Sequence, residues 1–100
     1  MNIFELVKLI RKRPGMYMES QSATELDYFI RGFVTAKKTE CNDQKDMEAY
    51  YCFNRWVCKK TSIEANVSWR RAVVFVEPNE YYAFKRFFDL WEEWSSGDNN

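Results

Sequence analysis

A proline–glycine turn early in the chain limits its architecture: residues 11–17 read Arg-Lys-Arg-Pro-Gly-Met-Tyr. Pro14 restricts its own φ and has no amide hydrogen, so a helix arriving from the N-terminal side has to end before it. Gly15 adds the freedom to adopt a positive φ. The sequence therefore predicts a helix that ends near Lys12 and a turn over 13–21.

Amphipathic helix patterns lie on both sides of this turn. Apolar residues at the spacing of one helix face, with Asn2 before them as an N-cap, predict a first helix over 2–12. Ser22-Ala23-Thr24-Glu25 has the form of a capping box and predicts a second helix from about 23 to 37. Asp27 and Arg31 are four residues apart on that helix, and we expect them to pair on its outer side.

Three further helices are predicted after a polar connection over 38–45. The third, from about 44 to 60, has Asn42 and Asp43 as cap candidates, and its apolar residues surround so much of its circumference that we expect it to be central. Ser68 caps a fourth helix, whose apolar run 72–76 also fits a buried strand; we prefer the helix because a lone strand lacks a partner. Asn79 caps a fifth helix over 80–94.

These elements predict an all-α fold, a compact single-domain bundle of about five helices over 1–94 with a disordered tail over 95–100. The loops between the first two and the last two helices are short, which favours antiparallel neighbours there. The expected core residues are Leu6, Ile10, Phe29, Phe33, Phe53, Val57, Trp69, Val73, Phe84 and Phe88.

The composition argues against catalysis. The chain has no histidine, the commonest general base and metal ligand, and its three cysteines contain no Cys-x-x-Cys spacing. Its three glycines are too scattered to form a phosphate-binding loop. We therefore expect no enzyme activity, no metal and no cofactor. We also expect a cytoplasmic protein with reduced thiols, because neither a signal peptide nor a membrane-spanning run is evident.

Charge is distributed unevenly along a chain whose formal net charge is zero. Residues 77–100 contain six acidic residues against Lys85 and Arg86. Three of the acids, Asp89, Glu92 and Glu93, lie opposite the aromatic stripe of the fifth helix. An acidic helix face on a neutral protein is suited to attract a basic partner.

The order of motifs resembles a family of small bacterial immunity proteins, those of contact-dependent growth inhibition and related polymorphic toxin systems. The resemblance rests on Arg13-Pro14-Gly15-Met16-Tyr17, on 26–33 (Leu-Asp-Tyr-Phe-Ile-Arg-Gly-Phe), on Ser68-Trp69 and on the aromatic helix 83–90. Glu19 departs from the small residue or glycine typical of the family after this turn. The similarity covers roughly residues 3–94.

The resemblance implies an antitoxin function. Such a protein binds and neutralises a cognate toxin domain, commonly a nuclease, by stoichiometric occlusion, without a membrane and without direct contact to nucleic acid. Nuclease toxins tend to be basic because they bind phosphates. We therefore expect the partner-binding residues on the last helix: Asp89, Glu92, Glu93, Tyr81, Tyr82 and Trp91.

Two alternatives from other functional classes remain open. The chain is a small nucleic-acid-binding protein if its cations form one basic face; these are Arg11, Lys12, Arg13, Lys59, Lys60, Arg70 and Arg71. It is instead a structural adaptor if the aromatic helix mediates oligomerisation. Retention on an anionic resin distinguishes the first alternative, and concentration-dependent sedimentation distinguishes the second.

Overall fold

The computed structural model describes residues 1–63 and 67–98, and in these the chain forms five α-helices and no strand. The all-α prediction is confirmed, including the helical state of the fourth element. A 3-10 turn over Pro14–Met16 follows the first helix, and a π-helical turn over Trp94–Asp98 follows the last. The α-helices are α1 (Ile3–Lys12), α2 (Ala23–Cys41), α3 (Lys45–Lys60), α4 (Trp69–Val76) and α5 (Glu80–Glu93).

The proline turn ends α1 where the sequence predicts. The amide of Arg13 donates to the Leu9 carbonyl, and the amide of Tyr17 closes the 3-10 turn on the Pro14 carbonyl. Gly15 does not adopt a positive φ, so proline alone accounts for the turn. Tyr17 then packs edge-on against Phe29 at 5.8 Å between ring centroids, which fixes the turn against α2.

Side-chain caps define most of the helix starts. Asn2 and Glu5 form a complete capping box at α1, and the side chains of Ser22, Ser68 and Asn79 accept backbone amides at α2, α4 and α5. The box predicted at α2 is half formed, because the Glu25 carboxylate accepts the Ser20 amide instead of the Ser22 amide. Each such cap contributes about 1 kcal/mol.

The second helix is four residues longer than predicted, since it ends at Cys41 and the prediction ends at Lys37. Asn42 closes it in the left-handed conformation, at φ 52°, so this residue is a C-cap of α2 and not an N-cap of α3. At the start of α3 the Asp43 carboxylate accepts the Lys45 amide. α3 contacts each of the other four helices, as its predicted central position requires, but it exposes Tyr51, Cys52 and Arg55 to solvent.

The core is an aromatic cluster between α3 and α5. Phe53 is fully buried and meets the rings of Phe87 and Trp91 edge-on, at 5.3 and 4.9 Å. Trp69 of α4 packs against Phe87 at 4.7 Å. Of the predicted core residues, Phe29 and Phe33 are only half-buried, and the other predicted residues are buried: Leu6, Ile10, Phe53, Val57, Trp69, Val73, Phe84 and Phe88.

Two expectations about individual residues are wrong. Asp27 does not lie on the outer side of α2 but is fully buried, beneath α3 and α4. Val76, expected in the apolar stripe of the fourth helix, is exposed because α4 ends there and the chain turns away through Glu77 and Pro78.

The end of the chain continues the fold further than the sequence predicts. The tail predicted over 95–100 begins with a π-helical turn, in which the hydroxyls of Ser95 and Ser96 donate to the carbonyls of Glu92 and Glu93. Residues 99–100, and 64–66 of the predicted connection, lie outside the described residues. In the described part of the chain no helix combines the length and apolar character needed to span a membrane.

Gly32 offers a direct test of the helix energetics. It is exposed in the middle of α2, and a Cβ built on it meets no atom within 4 Å. Gly32→Ala is therefore expected to raise the free energy of unfolding by about 0.5–1 kcal/mol. Urea denaturation measures this, and Ala36→Gly, one turn later on the same exposed helix, is the matched control with the opposite sign. A destabilising Gly32→Ala would contradict the helix placement.

Candidate functional site

Five of the six predicted binding residues share one exposed face of α5. With a rotation of about 100° per residue, the exposed positions of this helix cover about 140° of its circumference and about 18 Å of its length. We call this surface the α5 face. It consists of Tyr81, Tyr82, Lys85, Arg86, Asp89, Glu92 and Glu93, all of them exposed.

Trp91 does not belong to this surface. It is 5% exposed, and its ring lies 4.9 Å from Phe53, 5.6 Å from Phe87 and 5.5 Å from Phe4. The indole is therefore a core side chain, and its assignment as a partner-binding residue is corrected. Its position two residues after Asp89 places it on the opposite side of the helix, where burial of aromatic area is most favourable.

The α5 face carries three bands of different chemistry along the helix. Tyr81 and Tyr82 form an aromatic band in the first turn, with ring centroids 5.6 Å apart and exposures of 44% and 55%. Lys85 and Arg86 follow as a basic band, and the Lys85 ammonium lies 5.3 Å from the Tyr81 ring centroid. The acidic residues occupy the last turns of the helix.

The acidic band is paired with cations from two other helices. Arg11 of α1 donates to the Glu92 carboxylate at 3.0 Å and lies 3.9 Å from Asp89, and Lys60 of α3 contacts Glu93 at 2.5 Å. These pairs are exposed, so each contributes about 0–1 kcal/mol. The negative potential of this end of the molecule is thus smaller than the composition suggests, but the carboxylates stay accessible.

The acids lie where the helix itself disfavours them. The last turn of α5 contains no basic residue, although the C-terminal end of a helix carries partial negative charge that favours cations. Arg11 and Lys60 compensate for this from a distance in sequence. A locally unfavourable arrangement that is retained on an exposed face is a signal of a functional site.

Two further exposed apolar residues shortly precede the α5 face in the chain. Phe75 and Val76, at the end of α4, are 82% and 70% exposed, and only Glu77, Pro78 and Asn79 separate them from α5. Sequence reasoning missed them, because it placed Val76 in the inward stripe of the fourth helix and assigned no role to Phe75. The signal for them is the shortness of α4, since eight residues bounded by Ser68 and Pro78 cannot keep every apolar side chain on one face.

A buried hydrogen-bond network fixes α4, and with it Phe75 and Val76. The Tyr50 hydroxyl of α3 donates to the Asp27 carboxylate at 2.6 Å and accepts the Trp69 indole N–H at 2.5 Å. Arg70 Nε lies 3.4 Å from the second carboxylate oxygen of Asp27, so α4 contacts this network through two consecutive residues. The Trp69 amide also donates to Asn54 of α3 at 2.5 Å.

The network determines the protonation of Tyr50. Burial, and then the negative charge of Asp27 and its hydrogen bond, raise the pKa of the Tyr50 hydroxyl well above its ordinary value of 10.0. Tyr50 is therefore neutral and acts as a donor at neutral pH. The Asp27 carboxylate, with Arg70 and Arg31 beside it, receives that donor.

Other reactive groups in the described residues do not form a second site. No group of three or more acidic, cysteine or histidine side chains among residues 1–63 and 67–98 is placed to hold a metal ion. Cys41 and Cys52 are exposed free thiols, while Cys58 is buried and its thiol contacts the Val67 carbonyl at 3.1 Å.

No family model matches this sequence, and neither a curated protein nor a solved structure shows significant similarity to it. The function of the chain is therefore inferred from the chemistry of its own surface.

Removal of the Tyr50 hydroxyl tests the buried network. Tyr50→Phe leaves the Trp69 indole N–H without its acceptor and removes the hydroxyl that donates to Asp27 Oδ1, so we expect the free energy of unfolding at pH 7 to fall by about 2–3 kcal/mol. Tyr51→Phe, at the next and exposed position of α3, is the control and is expected to stay within about 0.5 kcal/mol of wild type. A loss of similar size in both variants would contradict the network.

The pH dependence of stability tests the raised pKa of Tyr50. The unfolded chain ionises this tyrosine near pH 10, but the folded protein keeps it protonated. The resulting stability is fully present below about pH 10 and is lost as the pH rises towards the folded-state pKa. Wild type is therefore expected to lose stability between about pH 10 and 11 more steeply than Tyr50→Phe does. Equal slopes in denaturation experiments would rule out this role of Tyr50.

Proposed function

We propose that this chain is a cytoplasmic immunity protein that binds a cognate toxin domain, a nuclease, and neutralises it by stoichiometric occlusion. The observation that carries the proposal is the exposed α5 face, together with the exposed Phe75 and Val76 at the end of the preceding helix. The α5 face alone is about 18 Å long, so we expect further residues to complete an interface of standard size.

The apolar end of this surface supports protein binding. Phe75, Val76, Tyr81 and Tyr82 are all exposed and lie close together in the chain, at the end of α4 and the start of α5. Large apolar side chains grouped on the surface mark interaction sites, and tyrosine and phenylalanine are common anchors of such interfaces. Burial of these side chains in a complex supplies the apolar contribution to affinity.

The acidic end supports a basic partner. A nuclease domain carries excess positive charge to bind phosphates, and lysine or arginine side chains of such a domain compete for Asp89, Glu92 and Glu93. Exchange of partners at these carboxylates costs little because the present ion pairs are exposed. The acidic band therefore increases the association rate and the selectivity more than the affinity itself.

The scaffold beneath the surface is suited to inhibition by binding. Helix caps, the aromatic cluster and the Asp27 network fix α4 and α5 in the free protein. A preorganised surface loses little conformational entropy on association, which favours the tight complex that an antitoxin requires.

The direct test uses the gene beside that of this chain. If the adjacent reading frame encodes a large secreted protein, its variable C-terminal domain is co-expressed with this chain and purified. We expect a stable one-to-one complex and suppression of the domain's activity. An active toxin domain that does not bind this chain, or turnover of a substrate by this chain alone, would contradict the proposal.

Truncation of the apolar end is expected to weaken the complex strongly. Phe75→Ala and Tyr82→Ala each remove an exposed anchor, so we expect an increase in Kd of about 30-fold or more for each, as is typical of interface hot spots. Stability is expected to stay within about 0.5 kcal/mol of wild type, since neither side chain is buried. Met16→Ala, an equally exposed apolar truncation in the proline turn, is the matched control for calorimetric titration.

Reversal of the charges of the acidic band is expected to lower the rate of association with the toxin domain. Replacement of Asp89, Glu92 and Glu93 by lysine lowers the association rate by about 10-fold or more at low salt, and the difference from wild type shrinks at high salt. The loss of the exposed ion pairs costs about 1–2 kcal/mol of stability at most.

The control for this reversal carries the same change in net charge at exposed sites on other elements: Glu19, Glu40 and Glu48. Stopped-flow measurements separate the two variants. An equal effect of both would mean that net charge, and not the acidic band, steers the partner. A wild-type chain that self-associates through Phe75 in sedimentation experiments and ignores the toxin domain would instead favour an oligomerisation module.

A further inference from the structure

A groove of about 510 Å³ lies between α2, α3 and the segment that leads into α4, away from the α5 face. Its volume falls in the range of small-molecule sites in proteins. Aliphatic and thioether side chains of Val34, Met47 and Val67 form part of its lining, and the ring of Tyr51 borders it. The groove is therefore apolar in part, and the remainder of its lining is polar and includes charged residues.

Among the described residues, the charged ones that line the groove are two arginines. Arg31 comes from α2 and Arg55 from α3, so they belong to two different walls of the groove. No carboxylate among residues 1–63 and 67–98 lies within 4 Å of the Arg55 guanidinium, which stacks over Tyr51 at 5.7 Å. Arg31 approaches Asp27 only to 3.9 Å, and Asp27 already accepts Tyr50.

Positive charge exceeds negative charge around Asp27. The carboxylate has two guanidinium groups beside it, those of Arg31 and Arg70, and both also lie over the ring of Tyr28 at 5.5 and 5.7 Å. One buried carboxylate neutralises one of these cations. With Arg55, which lines the groove from α3, the arginines in and beside the groove outnumber the acidic residue Asp27 by two among the described residues.

The start of α4 adds to this potential. Ser68, its N-cap, lines the groove, and the first turn contains Arg70 and Arg71 but no acidic residue. The N-terminal end of a helix carries partial positive charge, so arginines there are locally unfavourable unless an anion is near. Polar side chains beside Ser68 are engaged within the protein, since Asn54 accepts the Trp69 amide and donates to the Tyr50 carbonyl.

We infer that this groove binds a small organic anion, a carboxylate carried on an apolar body, with Arg31 and Arg55 holding the carboxylate. A guanidinium matches a carboxylate with two parallel hydrogen bonds, and two of them from different helices would set its orientation. The apolar part of the ligand then covers Val34, Met47 and Val67. This site is independent of the proposed toxin-binding surface, and its test uses the free protein.

The test is a titration of the ¹⁵N-labelled protein with phenylacetate, followed by NMR. We expect shifts of the amides around the groove, those of Thr35, Tyr51 and Ser68, with a Kd of about 1–10 mM for so small a probe. Phenylacetamide has the same shape without the charge and is expected to bind at least 10-fold more weakly. Equal binding of the amide would overturn the role of the arginines.

Two variants of the same chemical type localise the site. Arg55→Gln is expected to weaken phenylacetate binding about 10-fold, and it preserves the fold because Arg55 is exposed and outside the buried network. Arg86→Gln on the α5 face is the matched control and is expected to bind as wild type does. Unchanged binding by Arg55→Gln would place the probe elsewhere, and inorganic phosphate binding as tightly as phenylacetate would show a general anion site instead.

Discussion

The buried carboxylate of Asp27 is the constraint on which the arrangement of the helices depends. It lies on α2, receives the hydroxyl of Tyr50 from α3 and the guanidinium of Arg70 from α4, and so joins three helices through one side chain. A buried charge without partners costs several kcal/mol, and its removal from a completed network is equally unfavourable. Since α4 has eight residues and is too short to be stable alone, its position depends on these contacts. Phe75 and Val76, at the far end of α4, are placed on the surface as a consequence.

Local features of the structure are readable from the sequence. Pro14 ends α1, the side chains of Asn2, Ser22, Ser68 and Asn79 cap four helices, and the aromatic stripe of α5 faces inward. The buried face of α2 is not readable in the same way. Its positions 23, 26, 27, 30 and 34 form one stripe that includes Asp27, whereas the most hydrophobic candidates, Phe29 and Phe33, lie on its flank. Periodicity marks Asp27 as an inward position, but only the partners on α3 and α4 make a buried acid acceptable, and those depend on tertiary structure.

The candidate site likewise combines features that the sequence predicts with features that depend on tertiary structure. Tyr81, Tyr82 and the acidic residues are exposed as helical spacing predicts, because they lie opposite a strong aromatic stripe. Spacing does not show that Arg11 and Lys60 pair with the acidic band, since both cations come from other helices. Two helix ends nevertheless carry charges that oppose the helix dipole, and the sequence shows these charges. α5 ends with acids and α4 begins with arginines, and each is compensated only by residues distant in the chain. Natural sequences retain such conflicts chiefly where function requires them.

α4 joins the two surfaces, because its N-cap Ser68 lines the groove and its last turn carries Phe75 and Val76 about 10 Å away. A ligand at one site changes affinity at the other only if it distinguishes two states of the element between them. The contacts that hold α4 are complete without any ligand: Trp69 donates to Tyr50 and Asn54, and Arg70 meets Asp27. The structure shows one position of α4, so a ligand in the groove has no second state of this helix to favour. The groove and the α5 face are therefore expected to act as independent sites on one fixed scaffold, with a coupling free energy near zero in both directions.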